Sequence, residues 1–230
     1  MLFDYSHLCS VKNSRIYRQR FLLVLGLALL AASCKNQDVV PGELLVIHEI
    51  YQVTGDEQSK KPTVLKYKDA KLYKKGLLEQ TTFFEIDNTV KSYEFVQKDG
   101  DSGITNYYDA DSSLLAIYNI EYKGTNIVKR MGYEGHSKEL LRTESFEYDH
   151  NGNVIKKSIF DNKGQLSSFF KMDYDNDANE ISFSRHRADG QMIDEETFVI
   201  SEKNERGEWL ERWGYRNDMP SSFHRRSFSE

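Results

Sequence analysis

Residues 147–181, EYDHNGNVIKKSIFDNKGQLSSFFKMDYDNDANEI, contain one short phrase written twice. Tyr148-Asp149-His150-Asn151-Gly152-Asn153-Val154-Ile155 reads Y-D-x-x-G-N-x-I, and Tyr174 to Ile181 reads Y-D-x-x-A-N-x-I, 26 residues later. The same offset carries Gly164-Gln165-Leu166 into Gly190-Gln191-Met192, and twice that offset relates Tyr108–Leu114 to Phe160–Leu166. A period between about 20 and 50 residues is the mark of a repeat architecture.

Elementary chemistry accounts for the phrase. The aromatic closes a strand and packs on its neighbour. Asp149, Asp161 and Asp175 start turns, where a carboxylate can accept hydrogen bonds from backbone N–H groups. Gly152, Gly164 and Gly190 supply the left-handed conformation, or Asn153 and Asn179 beside them do. The apolar residue that follows opens the returning strand. Each unit is therefore one β-hairpin with its connection, and because a lone hairpin is marginal in water the units are expected to pack together.

The flanking sequence agrees. Leu114, Ala116, Tyr118, Ile120 and Tyr122 recur at every second position and so share one strand face. So do Leu166, Ser168, Phe170, Met172 and Tyr174, and Trp209, Glu211, Trp213 and Tyr215. Period-two alternation is the half-buried strand pattern, and 14 Tyr and 13 Phe suit strands. Asp69–Gln80 comes nearest to a helix, and Gly76 interrupts it. The expected fold is all-β, a curved antiparallel sheet or open β-solenoid built from hairpins of about 26 residues. Pro220–Glu230, with His224-Arg225-Arg226, reads as a final edge strand guarded by charge.

The N-terminus reads as an address. Arg15, Arg18 and Arg20 precede the apolar run Phe21–Ala32, which is too short for an easy membrane span and suits a signal segment. It ends in Leu30-Ala31-Ala32-Ser33-Cys34, similar to a bacterial lipobox, with Cys34 the residue that would carry the lipid. Three parts are expected: residues 1–33 as lipoprotein signal peptide, 34–43 as lipidated cysteine and tether, and 44–230 as the β-repeat domain, with its clearest repeats over 104–216. Loss of Cys9 with the signal would leave Cys34 as the only cysteine, so no internal disulfide could form. Removing residues 1–33 also takes the formal charge from −5 to −8, because Lys12, Arg15, Arg18 and Arg20 leave with Asp4. An acidic body excludes nucleic acid as a partner.

The repeat phrase, with Gly207-Glu208-Trp209-Leu210-Glu211-Arg212 as its ending, resembles the YD repeats of bacterial Rhs-type proteins. The match is to the short lipoprotein form without a toxin domain. It is best in 147–192 and worn elsewhere: Ala178 replaces the usual Gly, and Ser201–Arg206 lacks the YD. The resemblance implies a repeat fold and no activity.

Few residues suggest chemistry. Asp173, Asp175 and Asp177 have the spacing of a Ca²⁺ loop, but Ala178 and Ser184 occupy positions where that loop needs Gly and Glu. A solvated turn explains the three aspartates, and no metal is expected. His48, His136, His150, His186 and His224 lack ligand spacing, no nucleophile or P-loop motif occurs, and no cofactor is called for. Trp209 and Trp213 are read on one face of a single strand, either exposed for stacking on sugar rings or buried as a cap. The expected role is a non-enzymatic binding or scaffold module, tethered through Cys34 in the bacterial cell envelope, at the outer membrane. A protein partner leads and a glycan is the alternative; an immunity role or an enzyme stands behind both.

Overall fold

The structure is a computed structural model and describes residues 42–54 and 61–229. The expected signal peptide, Cys34 and nearly all of the tether lie outside the described residues, which contain strands, turns and bends. The strands are β1 (Glu43–Thr54), β2 (Lys61–Lys74), β3 (Leu77–Phe84), β4 (Val90–Asp99), β5 (Ser102–Asp109), β6 (Leu114–Lys123) and β7 (Asn126–Glu134). They continue as β8 (Leu140–Tyr148), β9 (Val154–Phe160), β10 (Leu166–Tyr174), β11 (Glu180–Arg187), β12 (Met192–Lys203), β13 (Trp209–Arg216) and β14 (Met219–Ser229). Asp69–Gln80 is therefore the end of β2, a turn and the start of β3.

The turn grammar is as the repeat phrase implies. Asp149 N–H donates to the Asn153 carbonyl and Gly152 N–H to the Asp149 carbonyl, enclosing a three-residue loop. Asp149 Oδ1 accepts from the N–H groups of Asn151 and Asn153 at 2.9 and 2.8 Å. Asp161 and Asp175 repeat this with Lys163 and Gln165, and with Asp177 and Asn179. The left-handed residue is Gly152 (φ 88°), Gly164 (φ 78°), Gly190 (φ 90°) or Ala178 (φ 61°). In the second copy Ala178 takes this position rather than the neighbouring Asn179. The tyrosines tie one turn to the previous one: Tyr148 Oη donates to the Ile127 carbonyl at 2.7 Å and Tyr174 Oη to the Val154 carbonyl at 2.9 Å.

The open solenoid is not what the chain forms. Each strand pairs antiparallel with its sequence neighbours, and β1 pairs with β14 from Leu45↔Ser229 to Gln52↔Ser222, closing a 14-strand barrel. Hairpins lie side by side in one continuous sheet instead of stacking face on face. The twist shared by all strands curls the sheet until the seventh hairpin meets the first. Closure pairs backbone groups that an open sheet would leave at two edges. β14 is accordingly an interior strand, bonded to β13 and β1, rather than an edge guarded by charge.

Register separates the walls. His48, Asp69, Phe83, Ser92, Tyr107, Ala116 and Gly132 share one face through successive partner positions, and the series continues through Glu144, Phe170, Arg185 and Arg212 to His224 and Arg226. Side chains on this face reach past the adjacent strand: Arg130 on β7 meets Glu94 on β4 at 3.6 Å, and His48 on β1 meets Trp209 on β13. It is the concave, inner wall. The outer wall carries Glu121 paired with Lys129 and Glu147 paired with Lys156, and Lys171 and Asp173 follow on β10. A lipid-facing band is apolar, and each cation at its midplane costs roughly 2–4 kcal/mol.

Candidate functional site in the barrel lumen

Aromatic rings line a continuous part of the inner wall. Trp209 on β13 stands edge-on to His48 on β1, 5.6 Å between centroids, and His48 lies 6.2 Å from Tyr67 on β2. Tyr67 lies 6.4 Å from Phe83 on β3, which lies 6.1 Å from Tyr107 on β5. Small residues make room for these rings. Thr81, Ser92 and Thr105 are 1–2% exposed beneath longer side chains, while Tyr67 on the same wall is 39% exposed. Small buried residues under half-exposed rings describe a wall that still faces open space.

Ionic and polar groups surround the ribbon. His48 Nδ1 lies 3.5 Å from Asp69 Oδ1, and His48 Nε2 lies 3.3 Å from His224 Nδ1. His224 Nε2 is 2.9 Å from Ser222 Oγ, which donates to Glu196; Ser221 Oγ also donates to Glu196, at 2.9 Å. Arg216 closes the chain, pairing with Glu196 at 3.1 Å and Asp194 at 2.8 Å. Since Ser222 gives its single proton to Glu196, His224 Nε2–H donates to Ser222, and His224 Nδ1 accepts from His48 Nε2–H. Burial, then the charges of Arg212, His48 and Arg226, hold the His224 imidazole down to about 3. It is neutral at any physiological pH.

Two arginines sit on the rings. Arg212 lies 3.7 Å above Phe198 and 4.5 Å from Trp209, and Arg226 lies 3.8 Å above Trp209. Burial lowers Arg212 to about 10, against the opposing pull of Glu180. Burial raises the Glu180 carboxyl, and Arg212 offsets part of that. Asp69 Oδ2, Thr81 Oγ1, Arg130 Nε and Arg212 Nε are buried without a hydrogen-bond partner among the described residues, although Lys71 Nζ lies 3.7 Å from Asp69 Oδ2. All four belong to inward-facing residues. Buried polar atoms are nearly always satisfied, so a cluster of open ones on one wall marks where water or a ligand belongs.

The residues singled out from sequence are distributed as follows. Tyr148, Asp149, Gly152, Asn153, Asp161, Gly164, Tyr174, Asp175, Asn179 and Gly190 build turns at the barrel rims. The Ca²⁺ candidate is dispersed: Asp175 and Asp177 are paired with Lys203 at 3.2 and 2.7 Å, and Asp173 accepts from Ser182 on the outer wall. No group of three or more potential metal ligands comes together among the described residues.

Trp209 and Trp213 do not share a face. Trp209 is 3% exposed and meets His224, whereas Trp213 is half-buried on the outer wall against Phe223, 4.7 Å away. His224 and Phe223 are consecutive, so they point to opposite walls. The cause is a register shift between β12 and β13, where Glu202↔Glu211 is followed by Lys203↔Trp209. Such a bulge breaks the alternation that sequence reading assumes. Sequence reasoning missed the lumen cluster, because His48, Asp69, Glu196 and His224 come together only when distant strands meet.

No family model matches the chain, and no curated protein matches it. Among solved structures it is similar to a porin-like protein from Bacteroides uniformis, at 11% identity, covering 84% of this chain and 99% of that one, with a TM-score of 0.48. The Photorhabdus luminescens Tc holotoxin pore aligns at 13% identity over 69% of this chain and 10% of that one, with a TM-score of 0.30. A DUF1329 family protein from Desulfovibrio piger aligns at 10% identity over 89% of each chain, with a TM-score of 0.26.

Proposed function

We propose that this chain is a non-enzymatic, lipid-anchored binding protein of the bacterial cell envelope that holds a saccharide against the inner wall of its barrel. The observation that carries this is the ribbon His48–Tyr67–Phe83–Tyr107, backed at one end by the buried Trp209 and set among hydrogen-bonding side chains with unmet capacity. Ring faces stack on the apolar faces of sugars, and polar groups at their borders take the hydroxyls. An acyl chain would strand the buried charges of Asp69, Glu144 and Arg212. The protein partner favoured by sequence alone loses its simplest route, since closure leaves no sheet edge for strand addition.

The hydroxyl of Ser222 is held between Glu196 and His224, and Glu196 is held in turn by Arg216. This relay reads as a structural clamp rather than an activated nucleophile. Kinship with short YD-repeat lipoproteins is proposed on the repeat phrase alone.

The test has two arms. Titration of neutral oligosaccharides into the full-length protein should show saturable binding that Tyr67→Ala and Tyr107→Ala each weaken about tenfold, the scale of a stacking contact; unchanged affinity in both variants would place the ligand elsewhere. Cell fractionation of Cys34→Ala should release the protein from membranes, and a variant that stays membrane-bound would overturn the lipid anchor.

A further inference from the structure

Half-way round the ring from β3, the inner wall changes character. Phe170 on β10 faces Lys157 on β9 and Arg185 on β11 as its direct partners, so the three side chains form one row across three strands. Lys157 Nζ lies 5.2 Å and Arg185 Cζ 5.9 Å from the centre of the Phe170 ring. Phe183 stacks beside that ring at 6.1 Å.

The two cations lack carboxylate partners. Neither forms an ion pair among the described residues, although inward carboxylates stand nearby. Each of those is already engaged: Asp194, the β12 partner of Arg185, by Arg216 at 2.8 Å, and Glu144 by Arg142 at 2.9 Å. On the same strands the outward lysine Lys156 does have its carboxylate, Glu147, at 2.7 Å. In a chain of formal charge −5, two spare cations on the inner wall are a local inversion of sign. Cations flanking an apolar ring face match a ligand that is flat, weakly polar on one side and anionic at its rim.

We infer that Lys157, Phe170 and Arg185 form a subsite for an acidic sugar, a ring bearing a carboxylate or sulfate, within the lumen. The inference rests on the proposed saccharide site and specifies its substrate class. Phe170 takes the ring face. Lys157 and Arg185 take the anion from either side, Arg185 with the paired N–H geometry that suits carboxylate and sulfate.

The test is calorimetric titration of the detergent-solubilised full-length protein with three probes: a glucuronate-containing tetrasaccharide, a sulfated disaccharide and neutral maltotetraose. The wild type should prefer the acidic probes by about tenfold or more, with affinity falling as salt rises. The Lys157→Gln/Arg185→Gln variant should lose that preference and keep its affinity for maltotetraose. Lys156→Gln/Lys171→Gln makes the same change of charge on the outer wall of β9 and β10 and should behave as wild type. Two results would overturn the subsite while leaving the lumen reading intact: equal affinity for acidic and neutral probes, or equal loss in the inner and outer variants. Absence of binding to all three probes would overturn both.

Discussion

His48 Nε2 and His224 Nδ1 lie 3.3 Å apart, on the first and last strands of the barrel. The pair exists only because the sheet closes, and it links the Asp69 side of the lumen to the Ser222–Glu196–Arg216 chain. It also puts a titratable switch at the seam.

The seam should weaken in acid. The folded His224 titrates at about 3, held down by burial and then by Arg212, His48 and Arg226, whereas an unfolded histidine titrates near 6.5. Between those values the unfolded chain binds the extra proton, so stability falls as pH drops from about 6.5 towards 3, by on the order of a few kcal/mol. Urea unfolding of wild type and His224→Gln at pH 7 and pH 4.5 checks this. The wild type should lose distinctly more stability than the variant over that interval, and parallel losses would refute the assignment.

The rim turns should respond to single changes in opposite directions. Asp149→Ala removes the acceptor for Asn151 N–H, Asn153 N–H and the Asn153 side-chain amide, and should cost about 1–2 kcal/mol. Ala178→Gly relieves a left-handed residue at φ 61° and should gain about 1 kcal/mol. Thermal unfolding midpoints should move down for the first and up for the second.

Gly132 is the floor on which Tyr118 lies. A Cβ there would come within 2.7 Å of the Tyr118 ring, above which Arg130 stacks at 3.8 Å. Gly132→Ala should therefore cost about 1–3 kcal/mol through overpacking. An unchanged urea midpoint would show that the ring moves freely.

The two tryptophans should be spectroscopically distinct. In Trp213→Phe the remaining Trp209 is enclosed by the lumen, so its emission should be blue-shifted and poorly quenched by acrylamide. In Trp209→Phe the remaining Trp213 stands half-buried outside and should be quenched more readily. Trp209→Ala should cost about 3–5 kcal/mol, the range for deleting a buried tryptophan, and Trp213→Ala less.

Strand and turn positions were legible in the sequence because their causes are local. Alternation over Leu166–Tyr174 and the Asp149, Gly152 and Asn153 phrase depend on residues within one hairpin, and a 26-residue repeat dictates that the hairpins recur. Closure is different in kind. Whether a twisted sheet ends in two edges or in a β1–β14 seam depends on the sum of twist over every strand pair, which no single repeat contains. The wall that a side chain faces is equally collective once bulges intervene: the shift between β12 and β13 sends Trp209 inward and leaves Trp213 outside. The lumen cluster follows from both. His48 and His224 are 176 residues apart in the chain, and Glu94 and Arg130 sit on strands that never pair, so tertiary closure alone brings them within reach.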